Sequence, residues 1–189
     1  MRIFLIRSLQ ILLFSVMFMA CTGRHVYKKA AKQLAAKLPD SKNMNAGSSR
    51  YTLDVPEGWA TEHKTMYGVD YFYLLAPPTK DDPHTNINVI TEYMQGLSLD
   101  SYRTKTIASV KKMIPTTSNF DTGSIKANGL NGCWYSYDME MQGIHASIVT
   151  YIFPKDGVSY IITAGTQAEL AMRYRRLFNA VVRSFRFSE

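Results

Sequence analysis

An alternation of apolar and polar residues marks the strands of this chain. From residue 133 the odd positions are apolar and the even ones mostly polar, which predicts a strand over 133–142 with one buried face. Residues 145–153 are apolar on both sides, so we expect a central strand there. Similar runs bounded by turn residues predict further strands at 51–55, 69–75, 87–94, 120–126 and 158–163.

Two segments carry a helical period instead. The first is predicted to begin at a cap, Ser98 or Asp100, and to end near Ile114, with an apolar arc wide enough to lie on a sheet. The second is predicted to begin with a capping box at 166–169 and to end near Ser184. Strands in antiparallel runs with two separate helices indicate an α+β fold. We expect a central antiparallel sheet of about six to seven strands between helical layers, an α/β/α sandwich.

The amino-terminal residues indicate export. Arg2 and Arg7 precede a short apolar run, and the small Ala20 stands directly before Cys21, as in a secretory signal peptide that ends in a bacterial lipobox. We therefore expect a signal peptide at 1–20 and lipid attachment at Cys21, which makes the lipid the predicted membrane anchor. An uncleaved anchor and a plain secretory signal are the alternatives. Thr22 after the cysteine favours the outer membrane, facing the periplasm, over the inner one.

Charge changes the picture of the rest of the chain. The formal net charge is +7, but residues 22–50 alone contribute +6 and residues 51–189 contribute −1. The folded part therefore lacks the basic surface that nucleic acid requires, and no nucleic-acid partner is expected. Residues 21–50 are predicted to be a basic tether, either a short helix on anionic lipids or a solvated linker, and residues 51–189 to be the folded domain.

Several short motifs of the folded part resemble one known superfamily. They are the residues VPEGW at 55–59 after the first strand, KDG at 155–157 in a hairpin, and VVRSF at 181–185 closing the last helix. Together they resemble the PsbP-like superfamily, which also includes the yeast Ran-binding import factor Mog and the bacterial envelope lipoprotein DcrB. The resemblance implies a central antiparallel sheet between helical layers and an accessory or binding role, and the lipobox favours the DcrB-like type.

Candidate catalytic groups do not assemble in the predicted topology. A hairpin at Gly143 and Ile144 places Cys133 opposite Pro154 and far from His145, which excludes a Cys-His dyad and makes Cys133 a core thiol. The loop at 76–86 carries Asp81, Asp82 and a histidine but lacks the glycine and closing glutamate of a calcium loop. We expect a solvated loop, a plausible partner contact, and no metal, cofactor or enzymatic activity.

Two features are candidate binding surfaces. The last helix carries a basic face opposite its apolar face, which predicts an acidic partner or lipid head groups, although a merely solvated face is the alternative; its residues are Arg173, Arg175, Arg176 and Arg183. The sequence thus predicts a lipid-anchored, non-catalytic adaptor for an envelope protein complex. The alternative function is a carrier or sensor that holds a small apolar ligand between sheet and helix, on aromatic residues that otherwise belong to the core: Tyr71, Tyr73, Tyr135 and Tyr137.

Overall fold

Ten strands form two antiparallel sheets in the computed structural model of the chain, which describes residues 45–48, 50–66, 68–141 and 143–188. The strands are β1 Asn45–Ser48, β2 Tyr51–Asp54, β3 Ala60–Met66, β4 Val69–Leu75, β5 Asn86–Tyr93, β6 Ser118–Ala127, β7 Leu130–Met141, β8 Ile144–Lys155, β9 Val158–Gln167 and β10 Arg186–Phe187. The large sheet has the order β3-β4-β5-β9-β8-β7-β6 and the small one β1-β2-β10. The predicted signal peptide, Cys21 and the tether up to residue 44 lie outside the described residues.

Two helices cover opposite faces of the large sheet. Helix α1, Leu99–Met113, packs its Tyr102 and Val110 into one hydrophobic core, and helix α2, Ala171–Arg183, packs its Phe178 and Val182 into the other. The small sheet shares the layer of α2, since Leu53 of β2 belongs to the same core. The α+β architecture with a seven-stranded central sheet and two main helices confirms the predicted fold class, to which the small sheet is added.

Strand β7 shows how the sequence divides between the two cores. Its odd residues from Cys133 to Met139 are buried under α1, and its even residues Trp134, Ser136 and Asp138 are half-buried on the side of α2. Alternate side chains of a strand point to opposite faces, so the pattern of period two fixes which residues each helix covers. The face under α1 therefore receives the continuous apolar set.

The turn between β7 and β8 differs by one residue from the prediction. Met141 pairs with Ile144, and Cys133 therefore lies opposite Ile152 rather than Pro154. Gly143 has φ +77°, the left-handed conformation that the second position of a tight hairpin turn favours and that glycine adopts without strain. The conclusion drawn from the pairing still holds, because Ile152 and His145 are seven residues apart along β8.

The structure contains strands that the sequence did not predict, including β1 within the predicted tether at 21–50, and one predicted motif was wrong. Strand β3 was not predicted, because most of its side chains are polar and exposed at the edge of the sheet and give no apolar alternation. The capping box at 166–169 does not form, since β9 continues to Gln167 and a short 3-10 helix at Ala168–Leu170 precedes α2. By contrast, the cap of α1 is confirmed, because the Ser98 side chain accepts a hydrogen bond from the backbone N–H of Ser101. Neither described helix meets the length and apolarity that crossing a membrane requires.

Candidate functional site

A groove of about 500 Å³ runs between α2 and strands β6, β7 and β8. Its floor is the sheet itself, where Trp134 pairs with Tyr151 and Ser136 pairs with Val149. The volume falls within the range of ligand and peptide sites, which span about 300–1,000 Å³. We therefore take this groove as the candidate functional site.

Small residues on the floor create the space. Gly123 of β6 pairs with Trp134, and a Cβ atom at Gly123 would lie only 2.6 Å from the indole nitrogen. The absence of a side chain there lets the indole lie across β6. Further along the strands, Ser147 of β8 lies between Asp138 and Thr166, so short polar side chains continue the floor toward the start of α2.

The wall formed by α2 is a stripe with a spacing of four residues. Ala171, Arg175, Asn179 and Arg183 all line the groove, as expected for residues that share one side of a helix. The Tyr151 hydroxyl donates a hydrogen bond of 2.9 Å to Oδ1 of Asn179, which joins floor and wall. Burial raises the pKa of Tyr151 to about 12, and the positive charges of Arg175 and Arg183 oppose that rise.

The structure divides the four arginines of the predicted basic face into two pairs. All four are exposed, but only Arg175 and Arg183 line the groove. Arg173 lies over the ring of Tyr174, 5.6 Å from its centroid, and Arg176 is exposed outside the groove lining. The sequence predicted one uniform surface, whereas only half of that surface faces a cavity.

The sheet side of the groove carries two carboxylates. Asp121 of β6 and Asp138 of β7 line the groove, and Oδ2 of Asp138 accepts a hydrogen bond of 2.8 Å from the Asn119 side chain. Among the described residues, the side chains of Arg175 and Arg183 form no salt bridge with these carboxylates or with any other. The groove therefore has arginines on its helix side and carboxylates on its sheet side, and the arginines are available to a ligand.

The loop at 76–86 is exposed over residues 77–81, as the sequence predicted for a solvated loop, but a buried carboxylate fixes its second half to the end of the groove. Asp82 is 3% exposed and accepts hydrogen bonds from the Thr85 hydroxyl at 2.5 Å and from the hydroxyl of Tyr174. The Thr85 hydroxyl also lies 2.7 Å from that of Thr166, which lines the groove. Burial lowers the pKa of His84, and the charge of Asp82 opposes this effect. Asp82 thus holds the loop against α2 and β9.

The four tyrosines of the predicted ligand site do not form one site. Tyr71 and Tyr73 stack on each other on β4, and Tyr135 and Tyr137 stack on each other on β7. The order of strands separates β4 from β7 by three strands, a distance of roughly 19 Å at about 4.8 Å per strand spacing. All four side chains are buried in the core under α1, so their packing there supports the core interpretation.

The remaining candidate groups are also separated. Cys133 is 2% exposed, and burial raises its pKa to about 11, which is the environment of a core thiol, as predicted. His145 lies at the other end of the hairpin, 3.8 Å from Glu140, and both side chains are exposed. Within the described part of the chain, no group of three or more metal-ligating side chains comes together.

The groove as a unit was not predicted from the sequence. Its residues come from α2, the short helix before it and four strands, and only the register brings Trp134, Tyr151 and Asp121 to one face. A signal was nevertheless present in the even positions of β7 from Ser136 to Glu140, which are all polar and follow Trp134. Polar residues on a face that also receives a helix indicate that the helix does not cover that face completely.

The arrangement of strands and helices matches a known fold. A seven-stranded antiparallel sheet with a helix on each face, and a small sheet beside one of them, is the PsbP/Mog-like fold. This result confirms the resemblance read from the sequence at the level of the fold. No protein-family profile matches the sequence, and no curated protein matches it.

Three solved structures illustrate the likeness. The Ran-binding protein Mog1p of Saccharomyces cerevisiae superposes with a TM-score of 0.57 at 10% identity, over 78% of this chain and 95% of its own. The cyanobacterial PsbP of Synechocystis gives 0.55 at 14% identity, over 77% and 91%. LpqN of Mycobacterium tuberculosis, involved in cell envelope biogenesis, gives 0.52 at 11% identity, over 78% and 90%. At these identities the likeness shows the fold alone.

Proposed function

We propose that this protein is a lipid-anchored adaptor of the bacterial cell envelope, a non-catalytic domain that binds a partner protein through the groove beside α2. The observation that carries the proposal is the pair of exposed arginines, Arg175 and Arg183, on the rim of a cavity with an aromatic floor. Arginine and aromatic side chains are the residue types that dominate the binding energy of protein interfaces.

The fold comparisons support a binding role in the envelope. Mog1p is described as a Ran-binding protein, and LpqN is described as involved in cell envelope biogenesis. These descriptions apply to domains of the same fold, and they agree with the export signal that the sequence predicts at residues 1–20. The proposal combines them: this domain binds a protein partner in the envelope.

The predicted lipid anchor determines the cell compartment in which the groove would meet its partner. Lipid attached to Cys21 would hold the chain at the membrane, with the outer membrane favoured and the domain in the periplasm. As flexible coil, residues 22–44 of the predicted tether would span on the order of 30 Å before β1 begins, so the domain would reach a partner that stands off the bilayer. Firm attachment requires more than one acyl chain, as bacterial lipoproteins carry.

The test is crosslinking in cells followed by purification from solubilised membranes. We expect a stoichiometric partner with the unsubstituted chain and less of it with Cys21→Ser, which removes the lipid attachment site. The double variant Arg175→Glu/Arg183→Glu is expected to lose the partner, because it reverses both charges on the groove rim. The matched control Arg173→Glu/Arg176→Glu carries the same charge change on the same helix and should retain it. Equal capture by both double variants would contradict the role of the groove.

A small-ligand carrier is the second candidate, and it is favoured by the aromatic floor of Trp134 and Tyr151. The groove would then hold the ligand, rather than the tyrosines under α1 that the sequence indicated. Native mass spectrometry of protein purified from cells separates the two functions. A bound small molecule that the Trp134→Ala variant loses would favour the carrier, and a mass equal to that of the processed chain would count against it.

A further inference from the structure

The groove beside α2 carries different charges at its two ends, and this order specifies the kind of protein segment that fits along it. We propose that the groove binds an extended segment of the partner protein in which an acidic and a basic residue lie six positions apart, with an apolar residue two positions inside the acidic one. The inference rests on the adaptor function proposed above. It adds the form of the bound segment and the spacing of its charges.

The hydrogen bond between Tyr151 and Asn179 fixes how α2 lies along the floor. Tyr151 pairs with Trp134, so Asn179 lies level with Trp134. One helical turn of four residues advances about 6 Å, and two residues of a strand advance about 6.6 Å. Each turn of α2 therefore corresponds to two residues of β7, and the groove divides into levels along its length.

One end of the groove is basic. The backbone carbonyl of Arg183 accepts a hydrogen bond of 3.1 Å from the Asn128 side chain, in the turn between β6 and β7. Arg183 therefore lies one helical turn beyond Asn179, toward that turn, and the two carboxylates of the groove lining lie on the other side of Trp134. Charge-assisted hydrogen bonds to a guanidinium favour a carboxylate. An acidic side chain fits this end.

The opposite end carries Asp138. This residue is aligned through β8 with Thr166, which lies just before the start of α2. It is four residues from Trp134 along β7, about 13 Å, on the side away from Arg183. Oδ2 of Asp138 accepts the hydrogen bond from Asn119, and its other oxygen has no hydrogen-bond partner among the described residues. A lysine or arginine side chain fits this end.

Between the two ends the charges balance. Asp121 pairs with Ser136, which is two residues from Trp134 on the side of Asp138. Arg175 lies one helical turn before the residue that is level with Trp134, so Asp121 and Arg175 share one level of the groove. Because opposite charges face this level from the sheet and from the helix, a neutral residue fits there.

An extended segment matches these levels in order. Alternate residues of such a segment point to the floor and lie about 6.6 Å apart. When an acidic residue lies level with Arg183, the residue two positions away lies over Trp134, and the residue four positions away meets the neutral level. The residue six positions away, at roughly 20 Å, is then level with Asp138. The indole favours an apolar or aromatic residue at the second of these positions.

The distribution of charge favours a protein segment over a simple anion. A phosphate or a lipid head group would occupy the Arg183 end and leave the carboxylate of Asp138 without a partner. An anionic membrane surface would also be repelled by that carboxylate. A protein segment carries both signs of charge at a fixed spacing, so it can satisfy both ends at once.

Binding can be measured with two peptides of identical composition and net charge. The first is acetyl-Glu-Ser-Phe-Ser-Thr-Ser-Lys-amide, which has the proposed spacing, and the second is acetyl-Ser-Glu-Phe-Lys-Thr-Ser-Ser-amide, in which the charges are two positions apart. The chain has two tryptophans, so Trp59→Phe leaves Trp134 on the groove floor as the single tryptophan reporter. Anisotropy of the fluorescein-labelled peptides with the unsubstituted Trp59 chain provides a second readout if Trp59→Phe is unstable.

We expect the first peptide to change the Trp134 fluorescence saturably and the second to bind about tenfold more weakly, because it cannot form both ion pairs at once. Arg183→Glu and Asp138→Lys should each abolish this preference. The combined variant exchanges the charges of the two ends and should restore it, with the segment bound in the opposite direction. If the charge reversals unfold the domain, as judged by circular dichroism, Arg183→Gln and Asp138→Asn should each weaken the preference instead.

Two matched controls carry the same charge changes outside the groove. Arg176→Glu lies on the same helix, and Glu62→Lys lies on the exposed edge strand β3 at the far side of the sheet. Both should leave the preference for the first peptide unchanged. A loss in either control equal to that in the groove variants would show an effect of net charge and would overturn the proposal.

Equal binding of the two peptides, or binding of neither, would also overturn the proposal. So would inorganic phosphate or phosphatidylglycerol vesicles that bind more tightly than the first peptide and without any dependence on Asp138. Failure here is distinct from failure of the adaptor function, which is judged by partner capture in cells. A partner that is captured through Arg175 and Arg183 while neither peptide binds would retain the adaptor and reject the extended segment.

Discussion

The two faces of the large sheet differ in how completely they are covered. Under α1, the aromatic residues of β4 and β7 are buried in stacked pairs, and that core also holds the lone described thiol, Cys133. Under α2, the same strand β7 presents Trp134, Ser136 and Asp138, all half-buried, to an open groove. Both faces therefore carry an apolar core, and the face under α2 also leaves polar and aromatic groups of β7 accessible to a partner.

The difference between the two faces shows how a domain of this size can combine a stable core with a binding surface. Filling a face with apolar side chains supplies the free energy of folding but leaves no group available for recognition. Helix α2 packs Phe178, Val181 and Val182 into its core and turns its stripe of Arg175 and Arg183 toward the groove. The domain therefore obtains stability and a binding surface from different sides of the same helix.

The largest expected effect compares adjacent residues of β7 that point to opposite faces. Tyr135→Ala removes a fully buried side chain under α1 and should lower the free energy of unfolding by about 3–5 kcal/mol. Trp134→Ala removes a half-buried side chain and should cost about 1–2 kcal/mol, but it should abolish partner capture. Urea unfolding followed by circular dichroism measures both. A larger loss of stability for Trp134→Ala would contradict the division of the two faces.

A smaller effect is expected from filling the space beneath the indole. Gly123→Ala places a Cβ atom 2.6–2.9 Å from three atoms of the Trp134 ring, so the ring must move. Overpacking of this kind costs about 1–3 kcal/mol. We expect reduced stability together with a shifted Trp134 emission, measured with Trp59→Phe in the background. Gly129→Ala is a poor control because Gly129 has φ +79°, whereas Ser124→Ala changes an exposed residue beside Gly123 and should leave the emission unchanged.

Removing single tyrosine hydroxyl groups should reveal a smaller difference in stability between the two faces. Tyr151→Phe loses the hydrogen bond to Asn179 that joins floor and helix and should cost about 1 kcal/mol. Tyr137→Phe, under α1, removes a hydroxyl that has no hydrogen-bond partner among the described residues and should change stability by less than about 0.5 kcal/mol. Thermal unfolding of the two variants in parallel checks this order. Equal losses would show that both faces use their polar groups in the same way.

The smallest effect at neutral pH concerns the thiol under α1. Because burial raises the pKa of Cys133 from 9.0 to about 11, the folded state favours the neutral thiol. Its contribution to stability is fully present below pH 9 and is lost as the pH rises toward 11. In the Cys21→Ser chain, where Cys133 is the remaining cysteine, alkylation should be slow at pH 8 and should become fast in urea. Rapid alkylation of the folded chain at pH 8 would show that this face opens.

How well the sequence predicts each element of the fold depends on whether neighbouring residues alone determine that element. The alternation in β7 and the Ser98 cap of α1 are local, and both were predicted. Strand β3 was missed because its exposed edge position removes the apolar pattern, and the capping box at 166–169 was wrong because the Thr166 hydroxyl bonds to Thr85 instead. The capping box failed because of a hydrogen bond between residues that are far apart in the sequence, and no local sequence pattern reveals such a contact.

The candidate site was predictable only in part for the same reason. Arg175 and Arg183 stood out as part of a basic helix face, but the difference between them and Arg173 or Arg176 depends on where the groove lies. The carboxylates on the sheet side of the groove come from β6 and β7, and their spacing depends on the register shift near Asp121. Such long-range geometry has no signature in a single sequence.

Photo-crosslinking in cells from two exposed apolar positions tests the central claim most directly. Met172 on the groove wall is 76% exposed. Tyr93 is 77% exposed, and it pairs with the first residue of β9, whereas the groove residue Thr166 lies near the other end of that strand. A photoreactive phenylalanine analogue at each position samples two equally accessible sites. We expect a discrete partner adduct from position 172 and none from position 93. Adducts of equal yield from both positions, or an adduct from position 93 alone, would contradict the assignment of the groove as the binding site.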